Sequence, residues 1–445
     1  MINKNYIFFF WLLFSGSLIA QENWSLDDCV AYAIEHNLQL KEFKYNADSG
    51  KETYRQSVRN LLPGLSGSSD YNIRFGRSID PNNNDIVNTE FFSNNYSLDA
   101  SVDLFQGFQK LNAIRASKFL YKASMEDVLQ QKYLLAFRVM SAFYNIRFFE
   151  GLKAISDEQV AISQANYNLV KKQIELGLMA GADLYEAESS LLTDKLAATQ
   201  NENQLAAARL SLAQEMNLED VDNISLRTTL DEVAQEAQPM DVDSVYNTAK
   251  GFIPLIKAEQ LRVQAAQKNL AVSRGRLYPS LSVFAGFGTG YFETNVDDFG
   301  EVIPYRTQIS DNISKIVGIS LTVPISSGWS LRSGIKQQKI AQLRAKNNLD
   351  IQEQELYQLI QQLVQENKAL IVEYEQGIQR VAAQDLAFSI AQKRYEKGLI
   401  NALDLNTAKN LAANAKNENL LVSIRLKVNE STLAFYRGLP IFNIN

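Results

Sequence analysis

Aspartate recurs in this chain at positions where its neighbours decide what it can do. In residues 96–105, YSLDASVDLF, apolar Tyr96, Leu98, Ala100, Val102 and Leu104 alternate with polar Ser97, Asp99, Ser101 and Asp103. A strand sends successive side chains to opposite faces, so Asp99 and Asp103 share a face with Ser97 and Ser101. Upstream, LSGSSDYNIRF places Leu65, Gly67, Ser69, Tyr71, Ile73 and Phe75 on one side and Ser66, Ser68, Asp70, Asn72 and Arg74 on the other. Carboxylates set among hydroxyls and amides, with no nucleophile or base, suit a hydrated, cation-tolerant wall rather than covalent catalysis. Two further aspartates, Asp183 and Asp404, follow glycine turns, at Gly177–Gly181 and at Gly398. Each falls in the first turn of a predicted helix, where the helix dipole favours a carboxylate by about 0.3–1 kcal/mol. Asn401, three residues before Asp404, is the candidate cap. Gly177 and Gly398 are in place to end the preceding helices.

Other chemistries find no support. The chain has one histidine, His36, and one cysteine, Cys29. An internal disulfide is impossible, and a cysteine zinc site or a histidine-based catalytic pair is not expected. His36 reads as a helix-surface residue. No glycine loop ending in GKS or GKT is present to cradle a phosphate. We expect no enzyme, no cofactor and no metal. The net charge of −6 gives no basic surface for nucleic acid.

Elements must position these residues, and the first sets the compartment. MINKNY carries Lys4, Ile7–Phe14 is an apolar run, and SGSLIA leads to Gln21. A basic start, a short apolar run and small residues read as a secretory signal over residues 1–20, with cleavage after Ala20 expected and Ser17 as the alternative position, and a short membrane anchor as the competing reading. The run is too short to span a bilayer. No later stretch spans one as a helix, so the exported chain is free outside the inner membrane or sits in an outer membrane as strands.

The rest is a duplication. NLLPGLSGSSDY (60–71) resembles RLYPSLSVFAGF (276–287), setting Pro63 against Pro279, 216 residues apart. KKQIELGLMAGADLYEAESSL (171–191) resembles QKRYEKGLINALDLNTAKNL (392–411), setting Gly177 against Gly398 and Asp183 against Asp404, 221 residues apart; Gly107 and Gly328 are offset likewise. The second copy therefore carries about five extra residues between its strands. In the first half the pattern predicts a helix over 25–60, a strand over 65–76, a polar loop, a strand over 95–105, a helix from Gly107 to about 176 and a last helix over 182–216. The second half repeats this at about 241–276, 280–292, 312–325, 329–397 and 402–438. The repeats are thus 21–217 and 241–445, with an acidic linker at 218–240. Tyr121, Met125, Val128, Leu135, Val139, Ala142, Ile146 and Phe149 follow a coiled-coil rhythm in which Lys132 fills one position. A helix of that length spans on the order of 100 Å at 1.5 Å per residue. The two shorter helices of the half, end to end, match it, which predicts a helical rod with strands at one end.

The fourth strand puts Val317, Ile319, Leu321, Val323 and Ile325 on one side and Gly318, Ser320 and Thr322 on the other. Segments of about ten residues alternating apolar and polar are the signature of membrane barrels. Four strands cannot close, and open edges in lipid leave backbone groups unsatisfied, so several chains must share one barrel. Two chains give eight strands and a filled interior; three give twelve and a water-filled lumen. The fold class expected is mainly α with β: long antiparallel coiled-coil helices plus four transmembrane strands per chain in a shared twelve-stranded barrel. Asp70, Asn72, Asp99 and Asp103 would then face the lumen. The competing reading is a sheet packed on its own helices in a soluble periplasmic scaffold or adaptor.

The layout resembles the TolC family of outer-membrane efflux and secretion ducts. The resemblance rests on WSLDDCVAYAIEHNLQL, LLPGLS, VDLFQGFQ and the two turn motifs, above all RYEKGLINALDLNTAKNL with Tyr395, Gly398 and Asp404, and it covers nearly all of residues 24–438. It implies a homotrimer in the outer membrane of a Gram-negative bacterium, extending a helical tunnel into the periplasm, as the passive channel of a tripartite efflux or type I secretion system. It implies a periplasmic adaptor and an inner-membrane pump of the RND or ABC type as partners, and outer-membrane lipid around the barrel. It also implies that the helical turns close into an entrance. Tyr395 and Asp183 fall where members have a lock between helices, and Asp404 where they have an acidic ring. Glu186 is a candidate for additional charge there. Gly177, Gly181 and Gly398 become candidate adaptor contacts. Thr407 stands where some members have a second acidic residue, and Ile400 where some have an arginine of the lock.

Overall fold

A computed structural model of the chain describes residues 23–79, 84–88, 90–178, 180–219, 225–227, 241–442 and 444. The signal segment 1–20 and most of the linker 218–240 lie outside the described residues. In chain order the elements are β1 (Asn23–Trp24), α1 (Leu26–His36), α2 (Leu38–Arg59), β2 (Gly64–Arg74), β3 (Arg77–Ile79), β4 (Ile86–Asn88), β5 (Phe91–Gln106), α3 (Gln109–Glu175), α4 (Gly181–Met216), β6 (Ser225–Leu226), α5 (Val242–Phe252), α6 (Pro254–Gly275), β7 (Ser280–Phe292), α7 (Tyr305–Asp311), β8 (Ser314–Thr322), α8 (Ser330–Glu396) and α9 (Ala402–Tyr436).

These elements form two compact units. The first comprises the described residues of 1–43, 128–254 and 353–445; the second comprises those of 44–127 and 255–352.

The first unit is helical. Its core joins Cys29, Val30 and Ala33 of α1 to Leu135, Val139, Met140 and Ile146 of α3 and to Leu205, Leu212 and Met216 of α4. Ser25 and Asp28 start α1 reciprocally: the Asp28 N–H donates to Ser25 Oγ at 3.2 Å, and the Asp28 carboxylate accepts from the Ser25 N–H at 3.0 Å. Those bonds from Ser25 hold the Asp28 carboxyl below its usual range. Burial, with the Asp28 charge beside it, pushes the Cys29 thiol up to about 12, which leaves it unreactive. Lys132, which interrupts the apolar rhythm of α3, donates to the Ile444 carbonyl at 3.2 Å. His36 stacks on Tyr32 with ring centroids 4.0 Å apart.

Two predicted helices are each broken once. The 25–60 helix breaks at Asn37, whose ψ of 123° leaves the helical region. Its Oδ1 accepts from the Leu40 N–H at 3.0 Å and so caps α2. The 241–276 helix breaks at Ile253, because Pro254 excludes its predecessor from the helical region and brings no N–H of its own. Asn37 and Ile253 stand 216 residues apart, the repeat offset, so one kink is made by a side-chain cap in one half and by proline in the other.

The second unit is built on an antiparallel sheet of order β2-β5-β7-β8. The repeat is exact in its register: Ser66 pairs with Asp99 and Ser282 with Ser320, which are the same pair shifted by the two offsets. Between β2 and β5 the polar loop carries a small hairpin, β3 with β4. Where β5 passes into α3, Gly107 and Phe108 both have φ near +60°, and Gly328 and Trp329 repeat this before α8. A Cβ on Gly107 would run into the Gly275 carbonyl oxygen and lie 2.9 Å from Tyr278 Cβ. Gly107→Ala should therefore destabilise the protein by more than the roughly 1–2 kcal/mol that a left-handed conformation costs an alanine, read as a lower midpoint of thermal unfolding.

Candidate functional site

The sheet carries the first site. Register puts Leu98 beside Phe287, Ala100 beside Ala285 and Val102 beside Val283. It then puts Ala285 beside Val317, Val283 beside Ile319 and Leu281 beside Leu321. One face is thus apolar from β2 to β8, yet Val317 is 79% exposed and Ile319 72%. Covering so large an apolar surface is strongly favourable, at about 25 cal/mol per Å². On the opposite face Asp70 pairs with Asn95, and Asp99 lies between Ser66 and Gly286. The Asp99 carboxylate accepts from Ser97 Oγ at 2.6 Å, and the Asp103 carboxylate meets Lys110 Nζ at 2.9 Å. Asn72, two residues from Asp70 in β2, shares this face, opposite Ser93. The four polar positions read from the alternation therefore lie on one face. That face is not wholly polar, since Phe284 lies over Gly318. The outer edges of β2 and β8 have no strand partner among the described residues.

The helical turns carry the second site, within the first unit. The Leu178 N–H donates to the Gln173 carbonyl at 2.9 Å around Gly177 (φ 73°), and the Leu399 N–H donates to the Arg394 carbonyl at 2.9 Å around Gly398 (φ 68°). These are paired Schellman endings, for which glycine supplies the left-handed residue. Gly181 is the first residue of α4. The Asp183 carboxylate accepts from the Ala180 N–H at 3.3 Å, and Asn401 Oδ1 accepts from the Asp404 N–H at 2.8 Å. Asp404 and Glu186 are exposed.

Tyr395 is 7% exposed and packs with Val170, Ala187 and Leu405. Burial, then the Asp183 and Glu186 charges, raise its phenol above the usual range, so it stays protonated. Its hydroxyl has no hydrogen-bond partner among the described residues. The Tyr395 hydroxyl thus makes no hydrogen bond to either carboxylate, and the Asp183 carboxylate is engaged by the helix start. A groove of 380 Å³ runs beside Tyr395, lined by Ile162, Ala165, Leu169, Phe388 and Leu405 among others.

A third cluster was not anticipated from sequence. Lys409 of α9 is nearly enclosed, its side chain 4% exposed and that of Asp194 13%. The Lys409 ammonium donates to Asp194 Oδ2 at 2.5 Å, Ser163 Oγ at 2.8 Å and Ser190 Oγ at 3.2 Å, using all three protons. Ser163 also donates to Asp194, and Ser190 to Asn406. The pair ties α3, α4 and α9 together near the turns. The signal was present: Leu405, Lys409, Ala412 and Ala415 form one inward stripe, and a lysine in such a stripe needs a buried partner.

Among the described residues no group of three or more histidine, cysteine, aspartate or glutamate side chains is placed to hold a metal, and no helix is long and apolar enough to cross a membrane.

The model of a family described as outer membrane efflux protein matches residues 30–218 and 245–439. BepC, an outer membrane efflux protein of Brucella suis, is 20% identical over 307 residues, covering 69% of this chain and 64% of its own length. The outer membrane protein TolC of Vibrio cholerae is 22% identical over 322 residues, covering 72% and 68%. The chain thus spans a little under two thirds of BepC. Among solved structures, the outer membrane channel CmeC of Campylobacter jejuni superposes with TM-score 0.78 at 16% identity, over 93% of this chain and 85% of its own. The outer membrane protein VceC of Vibrio cholerae does so with TM-score 0.76 at 15% identity, over 93% and 96%.

Proposed function

This chain belongs to the outer membrane efflux protein family, and we propose that it is the passive outer-membrane channel of a tripartite efflux or type I secretion system. The family locates it in the outer membrane. The observation that carries the reading is the sheet: one continuous apolar face left exposed, one face bearing Asp70, Asn72, Asp99 and Asp103, and two unpartnered edges. Lipid covers the first face and water the second. The edges are satisfied when β8 of one copy pairs with β2 of the next, since an open edge in hydrocarbon leaves unsatisfied backbone groups at several kcal/mol each. Four strands per copy make a lumen at three copies and twelve strands.

The repeat predicts the register of that junction. Within the chain Asp99 pairs with Gly286. Shifted by the offsets 221 and 216, that pair becomes Ser320 of one copy opposite Asp70 of the next.

In the same reading the two repeats, 21–217 and 241–445, supply the helices of a periplasmic tunnel, with 218–240 as their linker and 1–20 as an export signal. The exposed turns at Gly177, Gly181 and Gly398, flanked by exposed Leu178 and Leu399, contact a periplasmic adaptor. An inner-membrane pump supplies the energy, because the duct is passive. Asp404 of three copies gives the entrance an acidic ring, with Asp183, Glu186 and Tyr395 holding the turns beside it.

Fractionation tests the whole. The mature protein should require detergent for extraction from the outer membrane and run as a heat-sensitive trimer on a gel. A buffer-soluble monomer would reject the duct in favour of a periplasmic scaffold. A narrower prediction concerns the ring. In planar bilayers Asp404→Ala should raise single-channel conductance and weaken cation preference, because a ring of carboxylates in a narrow passage concentrates cations. Unchanged conductance and selectivity would remove Asp404 from the entrance.

A further inference from the structure

The connection between β7 and β8, residues 293–313, is ordered around one side chain. Gln308 of α7 is 1% exposed. Its Nε2 donates to the Phe292 carbonyl at 3.1 Å and to the Ile303 carbonyl at 2.8 Å, and its Oε1 accepts from the Phe292 N–H at 3.0 Å. Gripping both backbone groups of one residue is what a neighbouring strand would do. Pairing of β8 with β7 stops at Ser314 and Gly288, and beyond that point Asn312 donates to the Gly290 carbonyl at 2.7 Å. Side chains of α7 and its end thus complete the edge of β7 where β8 has run out, which fixes the position of the segment.

The face it occupies is also fixed. Tyr305 and Tyr96 share a hydroxyl–hydroxyl bond of 2.8 Å, the Tyr305 and Tyr291 rings are 5.3 Å apart, and Thr289 donates to the Ile309 carbonyl at 2.6 Å. Tyr96 and Thr289 are register partners, on the face that continues through Leu98 and Phe287. That is the apolar face. Tyr291, Phe92 and Tyr71 extend the same aromatic row, with centroids 5.6 and 4.2 Å apart. Arg306, Thr307 and Ser310 of α7 are exposed. Lys315, opposite Phe287, stands on the apolar face one residue into β8.

We propose that residues 293–313 form a shelf on the outer wall of the barrel, seated at the headgroup level of the outer leaflet, and not a lid over the pore. The occupant of its exposed side is the lipid surface. Three observations converge on that depth. The shelf continues the face assigned to lipid. Amphipathic aromatics beneath it are of the kind that gather where hydrocarbon meets headgroups. The exposed side of α7 is polar, and Lys315 can extend its stem along apolar surface to reach that level. The inference rests on the barrel reading above.

The test uses the full-length protein reconstituted into bilayers. A nitroxide is attached at Thr307→Cys, at Ser310→Cys as a second shelf position, and at Leu98→Cys and Asp99→Cys as controls on the two sheet faces. Cys29 is fully buried and stays unlabelled. The paramagnetic probes are a lipid with a nickel-chelating headgroup, dissolved oxygen and a water-soluble nickel chelate. We expect the headgroup nickel to suppress the signals at Thr307 and Ser310, oxygen to act most at Leu98, and the water-soluble chelate to act most at Asp99. Labels at Thr307 and Ser310 that respond only to the water-soluble chelate, with Leu98 still in lipid, would overturn the shelf and leave the barrel standing. A Leu98 label open to water would overturn both. Single-channel conductance should not change in Thr307→Ala; a change would put the segment over the pore and contradict the proposal.

Discussion

Lys409→Met is expected to lower the stability of the protein by about 3–5 kcal/mol, the loss typical when one partner of a buried ion pair is removed. Methionine fills the space of the lysine stem but cannot neutralise Asp194. The Asp194 carboxylate would remain 13% exposed with only the Ser163 hydroxyl donating to it. Ser190 would lose the ammonium as well. The pair itself contributes less than this figure, because bringing two charges out of water offsets most of their attraction. Lys409→Met with Asp194→Leu should therefore recover most of the loss. Thermal melts of the three proteins check this. A single variant as stable as the parent would mean that water already reaches Asp194, and a double variant no better than the single would mean that the loss comes from packing.

The second large effect separates the two faces of one strand. Leu98→Arg should lower trimer yield sharply, since an arginine on the lipid face costs up to about 2–4 kcal/mol in each copy, rising with depth in the bilayer. Ser97→Arg, one residue away, should be tolerated. Ser97 lies on the polar face, where its hydroxyl already serves Asp99 and lies 3.0 Å from Ser68 Oγ, so an arginine there meets water and a carboxylate. Membrane fractions and unheated gels compare the two. Equal yields would remove the distinction between a lipid face and a water face.

Much of this was legible before any coordinates. Alternation in β2, β5 and β8 identified the faces because period-two patterning has few other causes. The offsets of 216 and 221 predicted equivalent strands, and register agrees with them residue for residue. Other features were not legible in the sequence pattern. Asn37 looks like any polar residue on a helix surface, and the break shows only in its extended backbone and its bond to the Leu40 N–H. Pro254 signalled the matching break in plain sight. The folding of 293–313 depends on Gln308 reaching back sixteen residues to Phe292, a contact with no periodicity to announce it. Lys409 sat in an inward stripe, but its partner Asp194 lies 215 residues away, so spacing alone could not pair them. The turns show the opposite case. Glycines and first-turn carboxylates were evident, while the burial of Tyr395 with an unpartnered hydroxyl required packing to be known.

The most direct test of the shared barrel is a disulfide across the junction that the repeat predicts. Ser101 pairs with Phe284 within the chain. The same offsets set Thr322 of one copy opposite Ser68 of the next. The double variant Ser68→Cys with Thr322→Cys, oxidised in outer-membrane vesicles, should give a covalent trimer under denaturing conditions, with neither single cysteine doing so. Monomer alone after complete oxidation, with the two new thiols unlinked or joined within one chain, would show that β8 and β2 of separate copies do not meet, and the shared barrel would be wrong.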